Sequence, residues 1–526
     1  MRHSPTACLF FLVACCPLMA QNVPMRLHTL PNGLRVLLLP RQGDPNIAAG
    51  WVAKVGSVNE RPGITGTAHL FEHMMFKGTR VIGTNDIDKG LAVMAKLDAV
   101  KGKLAHEEKE LRRRQRHGEI EDASDPAERS EKHRQLLERF QQLLASQREL
   151  IVKGEFDRIY TAAGASGMNA GTTNDFTIYF INVPKNKLEL WFWMESDRLL
   201  NPVFREFYSE RDVVREERRL RVESTPTGKF AEQFDALFWG SSPYSWPVIG
   251  WPSDVEAVTR DEALSFYDVY YAPGNLSVCL VGDFDADEAV KLAGRYFGRL
   301  EQGPHPPPDV RTVEIPQVAE KRMIAHAETK PRVILRYHTV PRGHRDAPAL
   351  LVLEEVLNGR TGRLYKSLVL GQEIATSARS GQRGMKYEGY FELRGVVKPP
   401  HTPNEVEKAL SDLVAGLAAE DVEERELQKV KNRLAAREFR KLRSSFSLMF
   451  ELLVREAYGT WETINSEPPR LQAVTAKEIR EAVGKYFRTE NRAVLVYHTK
   501  DAGGGAAAEE DPLSGDAEKS KGGDRK

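Results

Sequence analysis

The second half of the chain repeats the first. Ala257-Val258-Thr259 and Asn275-Leu276-Ser277-Val278 recur as Ala473-Val474-Thr475 and Asn491-Arg492-Ala493-Val494, both pairs at one constant offset. Self-similarity over that distance points to two copies of one folding unit rather than a single enlarged core. With 526 residues the chain is in any case too long for one ordinary core. Short strand patterns lie in the first copy. Leu34 to Leu39 follows the turn Pro31-Asn32-Gly33, Ala48 to Val55 comes next, and Leu276 to Val281 closes the copy. The stretch Gly303 to Asp309, with Pro304, Pro306, Pro307 and Pro308, reads as a linker. The copies are therefore expected at 25–302 and 310–500.

One segment of the first copy has no counterpart. Leu97, Leu104 and Leu111 recur every seven residues, and Leu136, Leu137, Phe140, Leu143, Leu144, Leu150 and Ile151 recur at three and four. Asp122 to Pro126 breaks the two runs. The pattern predicts two antiparallel amphipathic helices, a coiled-coil hairpin inserted at about 93–155. Such an insertion can be inert, a docking arm for a partner, or a gate.

A net charge of +1 gives no global field for nucleic acid or anionic lipid, and neither is expected as a partner. The N-terminus reads as an export signal over 1–20, with Arg2 as its charge and Ala7 to Ala14 as its apolar core. Two fates remain open. Cleavage after Ala20 would release the chain to the periplasm or outside, and lipidation of Cys15 in Leu12-Val13-Ala14-Cys15 would tether it to a membrane. Cys8, Cys15 and Cys16 lie in the signal, which leaves Cys279 as a core thiol. From 501 to 526 the chain is Gly, Ala and charge, a composition expected to be disordered.

Chemistry concentrates in Thr67-Ala68-His69-Leu70-Phe71-Glu72-His73-Met74-Met75-Phe76. Nothing in it breaks a helix, and a helix places His69 and His73 on one face with Glu72 beside them. Two neutral imidazoles so placed can hold one zinc ion, and the adjacent carboxylate can take a proton from zinc-bound water. The pattern is the inverted zinc motif His-x-x-Glu-His. Catalytic zinc needs a third protein ligand. The best source is the charged helix Ser209 to Arg219, where Glu210 and Glu217 lie two turns apart on one face.

These residues resemble the pitrilysin/insulinase family of zinc peptidases, which includes the mitochondrial processing peptidases. The resemblance spans roughly Met25 to Lys500. It implies an α+β fold of two related domains, each a mixed, largely antiparallel sheet packed with helices. It implies that Glu217, rather than the adjacent Glu216, is the third zinc ligand and that Glu210 assists catalysis. The glycine-rich turn and alternating strand from Gly164 to Phe180 resemble the family's edge strand near the zinc. Asn169 and Ala170 match its Asn-Ala, where the backbone pairs with extended substrate.

The implied activity is hydrolysis of peptides or unfolded polypeptides with one zinc per chain. A non-catalytic scaffold subunit of the same family is the alternative. Family members enclose substrate between four such domains, which implies a second two-domain chain as partner: a related chain is favoured, an identical one possible. One departure stands out. Many active members carry an arginine and, seven later, a tyrosine in the second copy, and those positions here are Val369 and Thr376. Arg363 and Tyr365 nearby are expected to be structural. The motif helix aligns with Leu351 to Val356, so that His69 meets Leu351 and His73 meets Glu355, and the second copy lacks zinc ligands.

Overall fold

The computed structural model describes residues 22–500; the expected signal segment with Cys15 and the expected tail from 501 onward lie outside the described residues. The chain opens with strands β1 (Arg26–Thr29), β2 (Arg35–Pro40) and β3 (Asn46–Ala53). Helix α1 (Thr67–Met74) follows, then the long helices α2 (Ile87–Arg116) and α3 (Glu131–Arg148). Next come β4 (Ser166–Thr172), β5 (Thr177–Pro184), α4 (Phe207–Arg218), α5 (Gly228–Phe238), α6 (Arg260–Tyr270) and β6 (Leu276–Gly282). Beyond the proline-rich stretch lie β7 (Lys321–Ala327), β8 (Arg332–Thr339), α7 (Ala347–Leu357), β9 (Ala375–Gly384) and β10 (Gly389–Val397). Helices α8 (Ser445–Tyr458) and α9 (Ala476–Tyr486) precede the last strand, β11 (Arg492–Thr499). Further helices fill the spaces between.

The strands form two mixed sheets, ordered β1-β2-β6-β3-β5-β4 and β7-β11-β8-β10-β9. Each sheet has one parallel pair, β2 with β6 and β7 with β11; its other pairs are antiparallel. Apart from β1 the two orders correspond strand for strand, so the fold is α+β with a repeated topology. The local chemistry behind the sequence repeat is visible. Thr259 and Thr475 each close a capping box, with Glu262 and Glu478, at the start of α6 and α9. Asn275 and Asn491 each donate a side-chain N–H to the last carbonyl of the helix before, Tyr270 O at 2.8 Å and Tyr486 O at 2.7 Å.

Strand alternation sorts the first sheet into two covered faces. Val36, Leu38, Ala49 and Trp51 join the core that holds α1. Leu37, Leu39, Ala48 and Val52 pack instead against Leu448, Met449, Leu452 and Leu453 of α8, a helix from the second copy. The exchange is reciprocal. Phe234 and Phe238 of α5, from the first copy, cover Ala325, Ile334 and Leu495 of the second sheet. Each fully buried side chain of this size contributes about 1.5–3 kcal/mol. Buried Glu456 of α8 adds ion pairs to Arg35 at 2.6 Å and Lys54 at 3.2 Å.

Helices α2 and α3 are an antiparallel pair, with Arg114 bonded to Glu128 at 2.9 Å and Glu107 to Lys132 at 2.7 Å. Leu97, Leu104, Leu111, Phe140, Leu143 and Leu144 are buried. Helix α2 begins at Ile87, so the pair grows from an element that starts before residue 93. Cys279 is buried in β6.

One alignment shifts. The same turn precedes both α1 and α7, and the helices start at Thr67 and Ala347. His69 therefore corresponds to Ala349, Glu72 to Val352 and His73 to Leu353, two residues from the match expected with Leu351 and Glu355. Helix α7 is apolar from Ala347 to Leu353, and its polar pair Glu354-Glu355 lies two residues beyond the positions equivalent to Glu72 and His73.

Candidate metal centre

Helix α1 is held from its N-terminal end. Gly66 precedes it with φ of 89°, and a Cβ there would meet Ile249 O at 2.7 Å. Glycine is the residue that accepts both constraints. The first-turn amides are capped from a distance by Glu60, whose two oxygens accept from Gly66 N at 2.8 Å and Ala68 N at 2.7 Å. Asp254 holds the preceding loop through Gly63 N at 3.0 Å and Thr65 Oγ1 at 2.7 Å. Sequence reasoning missed Glu60, which lies outside the helix and looks like an ordinary loop charge.

Helix α4 is anchored by buried Phe207 and Val214 and by Arg218, which forks onto Glu232 with two 2.7 Å bonds. A π-helical turn, Arg219–Glu223, follows at once. Glu217 thereby faces α1. Its Oε2 lies 3.7 Å from His69 Nε2 and 3.4 Å from His73 Nε2. Among the described residues these three side chains form the one cluster of three or more metal-ligand types, with their donor atoms within 4.8 Å of one another.

The donor set fits a zinc ion. Bonds of about 2.0–2.1 Å in a tetrahedron put ligand atoms roughly 3.3 Å apart, close to the spacing observed. Glu217 Oε1 is taken by Arg221 at 2.8 Å, whereas Oε2 is buried with no hydrogen-bond partner among the described residues. A buried, unpaired carboxylate oxygen aimed at two imidazoles is costly unless a cation joins them. Burial, reinforced by the nearby His73 and Arg221 charges, pulls the His69 pKa down to about 3, which keeps its imidazole neutral as a ligand must be.

Glu210 stands behind His73, with Oε2 3.4 Å from His73 Nδ1 and Oε1 2.6 Å from Lys77 Nζ. A carboxylate so placed can fix the tautomer and orientation of an imidazole that ligates a metal. Burial lowers the His73 pKa, but the Glu210 hydrogen bond and the Glu217, Glu210 and Glu72 charges outweigh it and raise the pKa overall. Burial also raises the Glu210 carboxyl, and there the His73 and Lys77 bonds win and lower it. Glu72 Oε2 accepts from Thr172 Oγ1 at 2.6 Å. Burial holds the Glu72 carboxyl above its ordinary range against that bond. Neither Lys77 nor Thr172 carried a signal in the sequence beyond nearness to a motif.

Asn169 and Ala170 sit on β4, the free edge of the first sheet, opposite Phe180 and Tyr179 of β5. Asn169 Oδ1 accepts from Ala170 N at 2.8 Å. A cavity of about 440 Å³, lined in part by Phe76, Phe156, Met168, Glu206 and Glu210, opens beside this strand. In the second copy Val369 packs on the core, and the Thr376 hydroxyl reaches Val396 O at 3.4 Å. Arg363 is committed to Glu426 at 2.8 Å.

The family model described as Insulinase (Peptidase family M16) matches residues 35–99, and that of the Peptidase M16 inactive domain matches 257–434. Together these matches support a member of the pitrilysin/insulinase family. Among curated relatives, zinc protease PqqE of Helicobacter pylori is 26% identical over 415 residues, 77% of each chain. An uncharacterized zinc protease of Mycobacterium tuberculosis is 26% identical over 483 residues, 90% of this chain and 93% of its own. Solved structures with the same family fold include a protease from Helicobacter pylori, with a TM-score of 0.73 at 22% identity, covering 90% of this chain and 99% of that one. The periplasmic protease PqqL from Escherichia coli gives 0.64 at 16%, covering 91% of this chain and 48% of that one. The family's "inactive domain" description falls largely on the second copy, where α7 bears Ala349, Val352 and Leu353.

Proposed function

We propose that this chain is an exported zinc-dependent endopeptidase that hydrolyses peptides or unfolded polypeptides, with His69, His73 and Glu217 as zinc ligands. The observation that carries the reading is the unpaired, buried Glu217 Oε2 pointing at both Nε2 atoms. Zinc held there would polarise the scissile carbonyl and make a bound water acidic enough to react near neutral pH. Glu72 is the general base. It accepts the proton of the attacking water and passes it to the leaving amine. Glu210, itself held by Lys77, keeps His73 in the tautomer whose Nε2 faces the site. Asn169 and Ala170 on the free edge of β4 align the substrate backbone by strand addition, which asks little of substrate side chains.

Export rests on the N-terminal pattern Arg2 with Ala7 to Ala14. It is also in keeping with the periplasmic description of PqqL. The Val369 side chain has no donor and the short Thr376 side chain is turned to Val396 O at 3.4 Å, so a donor for the carbonyl oxygen would come from a second two-domain chain that completes the chamber. The test is direct. Purified chain should carry about one zinc, and Glu72→Gln should keep the metal and lose cleavage of a quenched peptide, assayed alone and with a co-expressed partner. Protein that folds normally without binding zinc would remove the proposal.

A further inference from the structure

We propose that Thr172 is the positioning residue that aims Glu72, and that it does so from the strand to which substrate adds; the proposal rests on the peptidase reading above. The Thr172 hydroxyl donates to Glu72 Oε2 at 2.6 Å across one hundred residues of sequence. The Thr172 backbone bonds the same carboxylate, so one residue holds it by both side chain and main chain. A glutamate has three rotatable bonds, whereas a β-branched threonine is stiff at χ1. Bonding the first to the second removes freedom the base would otherwise have to lose in each turnover.

The strand gives this contact its meaning. Thr172 pairs with Thr177 of β5, which is fully buried and donates its hydroxyl to Val55 O at 3.0 Å. Thr172 thus stands on backed, rigid backbone. Ala170 lies two residues earlier and faces the same side of the sheet, packed at the margin of the core that holds α1. Strand β4 has β5 on one side and, among the described residues, no strand on the other. A peptide that adds to β4 is therefore placed by the same short segment that places the carboxylate. The distance between the scissile bond and the base is then set by strand register, three residues from Asn169 to Thr172, rather than by side-chain recognition.

Thr172→Val keeps the shape and removes the hydroxyl; Thr172→Ser keeps the hydroxyl. The expected result is a kcat about tenfold to a hundredfold lower in Thr172→Val, with KM and zinc content unchanged and most of the rate restored in Thr172→Ser. A second readout needs neither zinc nor turnover. In metal-free protein the Tm shifts of Thr172→Val and Glu72→Ala should fall short of adding in the double variant, because both remove one bond. Equal rates in Thr172→Val and the parent, or a loss in which KM, zinc content and rate all change and Thr172→Ser does not recover, would overturn the proposal. Additive Tm shifts would overturn it as well. Non-additive shifts in a chain that cleaves nothing would leave the Thr172–Glu72 bond standing and remove the peptidase reading instead.

Discussion

Helices α1 and α7 occupy equivalent places, one in each copy, and do different work. In α7 the positions equivalent to His69, Glu72 and His73 hold Ala349, Val352 and Leu353, at 6%, 0% and 0% exposure. At these three positions the helix faces the core. In α1 the same positions bring two imidazoles and a carboxylate to a half-buried face, next to an acid from α4. The difference extends to their supports. Helix α7 starts with Pro348 in its first turn and no side-chain cap; its polar fixings lie at its C-terminal end, where Glu354 accepts from Gln382 N at 3.2 Å and Glu355 pairs with Arg433 at 2.7 Å. Helix α1 has a buried carboxylate, Glu60, clamped on its first amides. Both helices have polar fixings, but those of α7 lie beyond the positions equivalent to His69, Glu72 and His73, whereas in α1 the fixings bear on the first turn, where His69 lies.

Several substitutions would break or sharpen this contrast. The largest effect is expected at Glu72→Gln in α1, a loss of about 10²–10⁴ in kcat with zinc retained, measured by peptide cleavage and metal content. Its positional counterpart, Val352→Ala in α7, should leave kcat nearly unchanged. Next, Leu353→Ala should lower unfolding stability by about 2–5 kcal/mol in denaturant melts, without changing zinc affinity, because the site in α7 is core. Glu210→Gln should weaken zinc binding by about ten- to a hundredfold in chelator competition, because His73 Nδ1 loses its carboxylate. The smallest effect is expected at Glu60→Ala, about 0.5–2 kcal/mol from the lost cap. If that variant lost zinc entirely while staying folded, α1 would depend on its cap more than the contrast allows.

The legible part of the molecule was the part written in short-range chemistry. The two threonine capping boxes and the two asparagines that close the helix ends recur at fixed spacing, and they betrayed the repeat. The pairs His69–His73 and Glu210–Glu217 declared themselves by helical spacing. The helix pair α2–α3 showed in its heptad leucines. What stayed hidden depends on distant partners. The exchange of α5 and α8 between sheets cannot be read from amphipathicity, which says that a face is buried and not against what. Thr172, Lys77 and Glu60 each act through one contact with an element elsewhere in the chain or through a single turn. The match of α1 to α7 slipped by two residues because the acidic pair Glu354-Glu355 of α7 does not stand at the places of Glu72 and His73. The seven-residue spacing gave Glu210 and Glu217 as a pair and the family resemblance implied separate roles for them, while the contact of Glu210 with His73 Nδ1 shows only in the fold.

The central claim is that His69 and His73 of α1 and Glu217 of α4 hold one zinc ion. X-ray absorption at the zinc edge on the purified chain, beside Glu217→Ala, tests it most directly. The expected result is about one zinc per chain with two imidazole nitrogens and at least one carboxylate oxygen at about 2.0–2.2 Å, lost or loosened in the variant. A folded chain that takes up no zinc, or whose zinc shell is the same without Glu217, would contradict it.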